Sequence, residues 1–98
     1  MDEQIQKTLI DELGLSDLST DKKDHLLVKM TEAVLKRIFL ETMEKLNVRD
    51  QDEYARMIDE NADFEKLEEF LQDKISDYEG LVSKTVGAFV EEMKAVNQ

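Results

Sequence analysis

HLLVKMTEAVLKRIFLETMEKL, residues 25–46, decides how this chain folds. It reads as one helix of about six turns. Stepped around a helical axis at roughly 100° per residue, its apolar side chains fall on two sides. Leu26, Leu27, Met30, Ala33, Val34 and Ile38 make one broad stripe. Val28, Leu35, Phe39, Met43 and Leu46 make a second, on the far side. Lys29, Glu32 and Lys36 lie between them, and Arg37, Glu41 and Glu44 interrupt the first stripe near its end. A surface helix has one apolar face, so a helix apolar on two sides is covered on two sides.

Two arrangements satisfy that pattern. The helix can be the spine of a monomer with the other helices packed around it. Alternatively, one stripe packs on its own chain and the other on a second copy, giving a two-fold dimer. An uncovered stripe carrying Leu35, Phe39 and Met43 would be a patch that monomers avoid. We therefore assign the inner stripe to the chain's own core and expect the far stripe to meet a second copy, as a homodimer, or another protein partner.

The flanking sequence supplies four more helices. Ile5, Leu9 and Leu13 line a helix over about 2–13, and Gly14 stands where a left-handed C-terminal residue is expected. Leu15 and Leu18 in the short connection are expected on the core. Ser19, Thr20 or Asp21 can cap the long helix, over about 21–46. Asp50 and Glu53 have capping-box spacing and open a helix over about 50–61, with Tyr54, Met57 and Ile58 inward. Asp63 can cap the next, over about 63–75, which carries Phe64, Leu67, Leu71 and Ile75. Ser76 and Glu79 form a second capping box for a helix over about 77–95, whose core face is Tyr78, Val82, Val86, Phe89, Met93 and Val96. No stretch alternates as a strand does. The expected fold is all-α: a single domain over 1–98, a compact bundle of about five helices around a long central one.

Gly80 and Gly87 fall on the face of the last helix opposite its core residues. Glycine inside a helix costs roughly 1 kcal/mol relative to alanine. Either that weakness is tolerated, or another backbone approaches closely there. With Leu35, Phe39 and Met43, these two glycines complete the set of candidate contact residues.

Composition narrows the function more than any motif does. Of the 98 residues 41% are hydrophobic and 38% charged, with no Pro, Trp or Cys. Lack of cysteine excludes disulfides, thiolate metal sites and a cysteine nucleophile, and fits a reducing cytoplasm. The start, MDEQIQKTLIDEL, is acidic and amphipathic, unlike a secretory signal. Twenty-four acidic residues against 13 basic ones give a net charge of −11. That surface repels phosphate backbones and anionic membranes, so neither nucleic acid nor membrane is expected as a direct partner.

Catalytic chemistry has no foothold in this sequence. His25 is the one histidine, near Asp21 and Asp24 in the first turn of the long helix, where a surface role is expected. One His and no Cys leave no zinc site of usual composition. Asp59, Asn61 and Asp63 have the first, third and fifth spacing of a calcium loop, but Phe64 replaces its turn glycine and Phe70 its bidentate glutamate. Caps and a turn explain them better. No catalytic residue, cofactor or metal is assigned, and Met30, Met43, Met57 and Met93 read as core filler. The expected function is a protein–protein interaction module that self-associates through the central helix. The alternative is an acidic inhibitor, or nucleic-acid mimic, binding a basic protein. A small-ligand bundle is a third reading, resting on the methionines and the acidic turn.

The order of elements also resembles a known group. IDELGLSDLSTDKKDHLLVKM, LKRIFLETMEKL and DFEKLEEFLQDKISDYEGLV resemble a family of domains of unknown function, and the resemblance covers nearly the whole chain, from about Leu9 to Met93. Its most specific parts are the Leu13-Gly14-Leu15 turn with Leu18, and the run from Phe70-Leu71 through Ile75 to Tyr78. Its members are small, acidic, helical bacterial proteins, many from the candidate phyla radiation. The resemblance implies a helical fold and a cytoplasmic bacterial setting, and it implies no activity. A proline often precedes the last helix in that family; Ser76 stands there in this chain.

Overall fold

A computed structural model describes residues 2–96; residues 1, 97 and 98 of the expected domain lie outside them. The order of elements is α1 (Asp2–Leu13), a short 3-10 turn (Leu15–Asp17), α2 (Thr20–Lys45), α3 (Val48–Asp59), α4 (Phe64–Lys74) and α5 (Tyr78–Val96). The fold is all-α, as the periodicity predicts.

Each junction has a local cause. Gly14 takes the left-handed conformation at φ 65° and turns the chain out of α1. This buries Leu15 but leaves Leu18 exposed, so only one of the two connection leucines reaches the core. At the next junction the expected Asp50 cap is displaced by Asn47. The Asn47 side chain accepts from the Asp50 backbone N–H at 2.8 Å, and α3 begins at Val48. Asp50 then sits in the first turn, where its charge suits the helix dipole. The Gln51 side chain reaches back and donates to the carbonyls of Met43 (2.8 Å) and Leu46 (3.2 Å), satisfying orphan acceptors at the end of α2.

Between α3 and α4, Asn61 adopts φ 58°. Its N–H bonds to the Ile58 carbonyl and that of Ala62 to Met57, both at 3.0 Å, which is a Schellman closure. Asp63 caps α4 by accepting from the Lys66 N–H at 2.9 Å. Backbone roles thus account for the acidic turn. At the start of α5, Asp77 and not Ser76 is the cap. It takes φ 55°, and its carboxylate accepts from the Gly80 N–H at 3.2 Å.

Two hydrophobic clusters follow one another along the molecule. The first joins Ile5 and Leu9 of α1, Val34 and Ile38 of α2, and Val86, Phe89 and Val90 of α5. The second gathers Leu46, Leu71, Ile75 and Tyr78 at the far end of α2, with Met43 and Tyr54 packed against it. Val82 touches both. α1 and α5 run the same way, as the contact of Glu12 with Lys94 (3.2 Å) at their C-terminal ends shows. α2 runs against both, with Arg37 paired to Glu92 and lying 5.1 Å over the Phe89 ring.

Because α3 and α4 close only one end of the spine, the molecule is elongated. It measures 44 × 25 × 16 Å, with a radius of gyration of 15.1 Å against roughly 13 Å for a compact chain of this length.

The buried line of α2 differs from the expected inner stripe. It runs Thr31, Val34, Ile38, Thr42 and Leu46, while Ala33 is exposed and Leu26 half-buried. Thr42 can sit in the core because its hydroxyl donates to the Ile38 carbonyl at 2.6 Å, so the side chain presents its methyl outward. Three other residues expected inside, Ile58, Phe64 and Val96, are exposed.

Candidate docking groove

The far stripe of α2 is partly closed by the chain itself. Leu46 is buried and Met43 half-buried, both in the second cluster. Next to them lies an open groove of about 270 Å³. Its floor comes from α2, where Leu35, Ile38, Phe39 and Thr42 share one face at helical spacing. The α4 wall repeats that spacing with Phe64, Leu67, Glu68 and Leu71. Tyr54 of α3 and Tyr78 of α5 close the ends.

Aromatic rings dominate the site. The chain has four Phe and two Tyr, and four of these six rings line the groove. A fifth, Phe70, stacks on Tyr54 with centroids 6.1 Å apart and planes 12° from parallel. Phe39 also meets Tyr54, at 6.5 Å and tilted by 34°. These contacts tie Tyr54 to two rings although α3 has no fully buried residue. Phe39 remains 45% exposed and Phe64 53%, so the two phenyl rings flank an apolar opening.

The polar groups are few. Thr42 spends its hydroxyl proton on the Ile38 carbonyl. Burial raises the Tyr78 phenol above the usual tyrosine range; the neighbouring Thr42 hydroxyl opposes that shift and the Glu68 charge adds to it. Burial likewise raises Tyr54, helped by the nearby Tyr78. Both phenols are therefore neutral at physiological pH. Glu68 is the one charged residue of the lining, and its carboxylate accepts from Gln72 Nε2 at 3.3 Å. Glu65 and Glu69 adjoin it along α4.

The five candidate contact residues do not form one surface. Leu35 and Phe39 lie in the groove, and Met43 packs beneath its end. Gly80 lies in a separate cleft of about 520 Å³ with Lys45, Lys74 and Lys84, and Gly87 in a cleft of about 410 Å³ between α1 and α5. Gly80 has a local explanation: a Cβ there would fall 2.2 Å from the Asp77 carboxylate that caps the helix. At Gly87 nothing lies within 4 Å of such a Cβ. Of the groove residues that helical spacing assigns to the core, Tyr78 is buried and Tyr54 and Leu67 are half-buried, as expected, whereas Phe64 is exposed. One signal was available: Phe64 directly follows the cap Asp63, and first-turn side chains commonly overhang the helix end.

Among the described residues no three His, Cys, Asp or Glu side chains converge to hold a metal ion, and His25 is exposed. No helix among them is long and apolar enough to cross a membrane. A family model described as a protein of unknown function, DUF5663, matches residues 9–93, the span over which the resemblance runs and one that contains every groove residue. No curated protein and no solved structure matches the chain.

Proposed function

As this chain belongs to the DUF5663 family, whose description assigns no activity, we propose a role from its own groove: a non-enzymatic protein–protein interaction module of the cytoplasm that docks partners between α2 and the α3–α4 pair. The observation that carries this is the pair of exposed rings, Phe39 and Phe64, flanking a concave apolar surface on a chain otherwise rich in charge. A groove of this kind suits the apolar face of a helix. Helical spacing on both walls offers ridges for i, i+3 and i+4 anchors.

Self-association is the second reading. It is supported by Val28 and Leu40, 55% and 54% exposed on α2 outside the groove. The net charge of −11, with Glu65, Glu68 and Glu69 clustered on α4, favours a basic partner over an acidic one, in line with an acidic inhibitor. Light scattering across a concentration series, followed by amide NMR with amphipathic helical peptides, tests these readings. A dimer dissociated by Phe39→Glu assigns the groove to a second copy. A monomer whose Phe39, Phe64 and Leu67 signals shift with peptide assigns it to another protein. A monomer with no groove signal shifted by any peptide overturns the docking role.

A further inference from the structure

We infer that the groove is anchored by an arginine side chain projecting from the apolar face of a partner helix, with its guanidinium between the Phe39, Tyr54 and Phe64 rings and against the Glu68 carboxylate. This rests on the docking role proposed above and names the chemistry of the occupant.

Size is the first argument. About 270 Å³ is below the usual range of drug-sized sites, roughly 300–1,000 Å³, and far too little to swallow a helix. It suits one long side chain entering from a helix that rests on the rim. Charge is the second. The lining holds one formal charge, the Glu68 carboxylate, and no basic group. An apolar occupant would leave that carboxylate partly desolvated with only the neutral Gln72 amide as its partner, whereas a cation would pair its charge. Ring chemistry is the third. The faces of phenyl and phenol rings attract cations, and four such rings line this one space. Neutral phenols add oxygen acceptors for N–H donors.

Arginine fits better than lysine. Its guanidinium is flat, stacks on rings, and presents paired N–H donors to a carboxylate. The chain already uses this combination elsewhere: Arg37 lies over the Phe89 ring and pairs with Glu92. In the groove the ring and the carboxylate are present without an arginine of the chain's own.

The test uses the full chain and a stapled alanine–leucine helix whose central residue is arginine, lysine or norleucine. Binding is followed by amide NMR and calorimetry. The expected result is about tenfold tighter binding of the arginine peptide than the norleucine peptide, with shifts at Phe39, Tyr54, Phe64 and Glu68. Glu68→Gln, with its melting curve checked, is expected to abolish that advantage and leave the norleucine peptide unchanged. If norleucine binds as well as arginine, or if E68Q retains the preference, the arginine anchor is wrong while the docking role stands. If N-acetyl-arginine amide alone binds as tightly as the peptide, the site takes a free cation and the partner helix is wrong. If none of these probes shifts the groove, both proposals fall.

Discussion

Replacing Thr31 with valine removes a hydroxyl that the fold does not use. Thr31 is 7% exposed, on the face of α2 that meets α1 and α5. Its Oγ1 is buried with no hydrogen-bond partner among the described residues. The usual acceptor for a helical threonine is the carbonyl four residues back, that of Leu27, and the bond is not made. A buried hydroxyl without a partner costs about 1–3 kcal/mol. Valine has nearly the same shape and branching, and its helix propensity is close to that of threonine. The substitution should therefore stabilise the fold by about 1–2 kcal/mol. For a domain of this size that raises Tm by about 5–15 °C. Thr42→Val is the matched control. Its hydroxyl donates to the Ile38 carbonyl at 2.6 Å, so the same change should cost about 1 kcal/mol. Urea unfolding followed by far-UV circular dichroism measures both, and an unchanged m-value keeps the two-state comparison valid. If Thr31→Val is no more stable than the parent, or if both variants shift in the same direction, hydroxyl satisfaction does not govern this core and the reasoning is refuted.

The two helical glycines should part company. Gly87→Ala should add about 1 kcal/mol, because its Cβ meets open space, whereas Gly80→Ala gains nothing because it displaces the Asp77 cap; thermal melts of the pair decide it. Asn47→Ala should lose about 1 kcal/mol, with Asn47→Asp close to the parent, since the cap needs an acceptor for the Asp50 N–H. Stability should fall as pH rises past about 10. The tyrosines ionise at lower pH unfolded than folded, so their contribution is whole below the unfolded value and lost as pH climbs through the folded one. In a pH series of denaturant titrations, Tyr54→Phe and Tyr78→Phe should flatten that decline; an unaltered slope in the double variant would exclude the phenols as its source.

How far the sequence carries can be judged on α2. Apolar periodicity located the helix and its two apolar sides, one covered and the other left partly open, because burial of hydrocarbon is what periodicity records. It misplaced the buried line, since Thr31 and Thr42 count as polar although one bonds to its own backbone and the other is left unsatisfied. Caps were harder. Asn47 and Asp77 compete with Asp50 and Ser76 within a few positions, and backbone angles that sequence does not display select the winner. The groove could be read only in part. Leu35 and Phe39 stood out on the far stripe, but Phe64 and Leu67 looked like ordinary core positions. Where α3 and α4 would settle depends on pairing between helices far apart in sequence. Gly80 suggested a docking surface, and the cap explains it locally.

α3 has no fully buried residue; Tyr54 packs against the second cluster and the Gln51 side chain bonds to the end of α2. Such an element opens through local excursions far less costly than global unfolding. In hydrogen exchange its amides should be the least protected of the helical interior, and those of α5 among the most. One end wall of the groove is thus a movable part set against a fixed α2 floor. A ligand that touches Tyr54 would have to immobilise α3, giving up some affinity, and would leave a signature remote from the contact itself: slower exchange along the whole of Val48–Asp59.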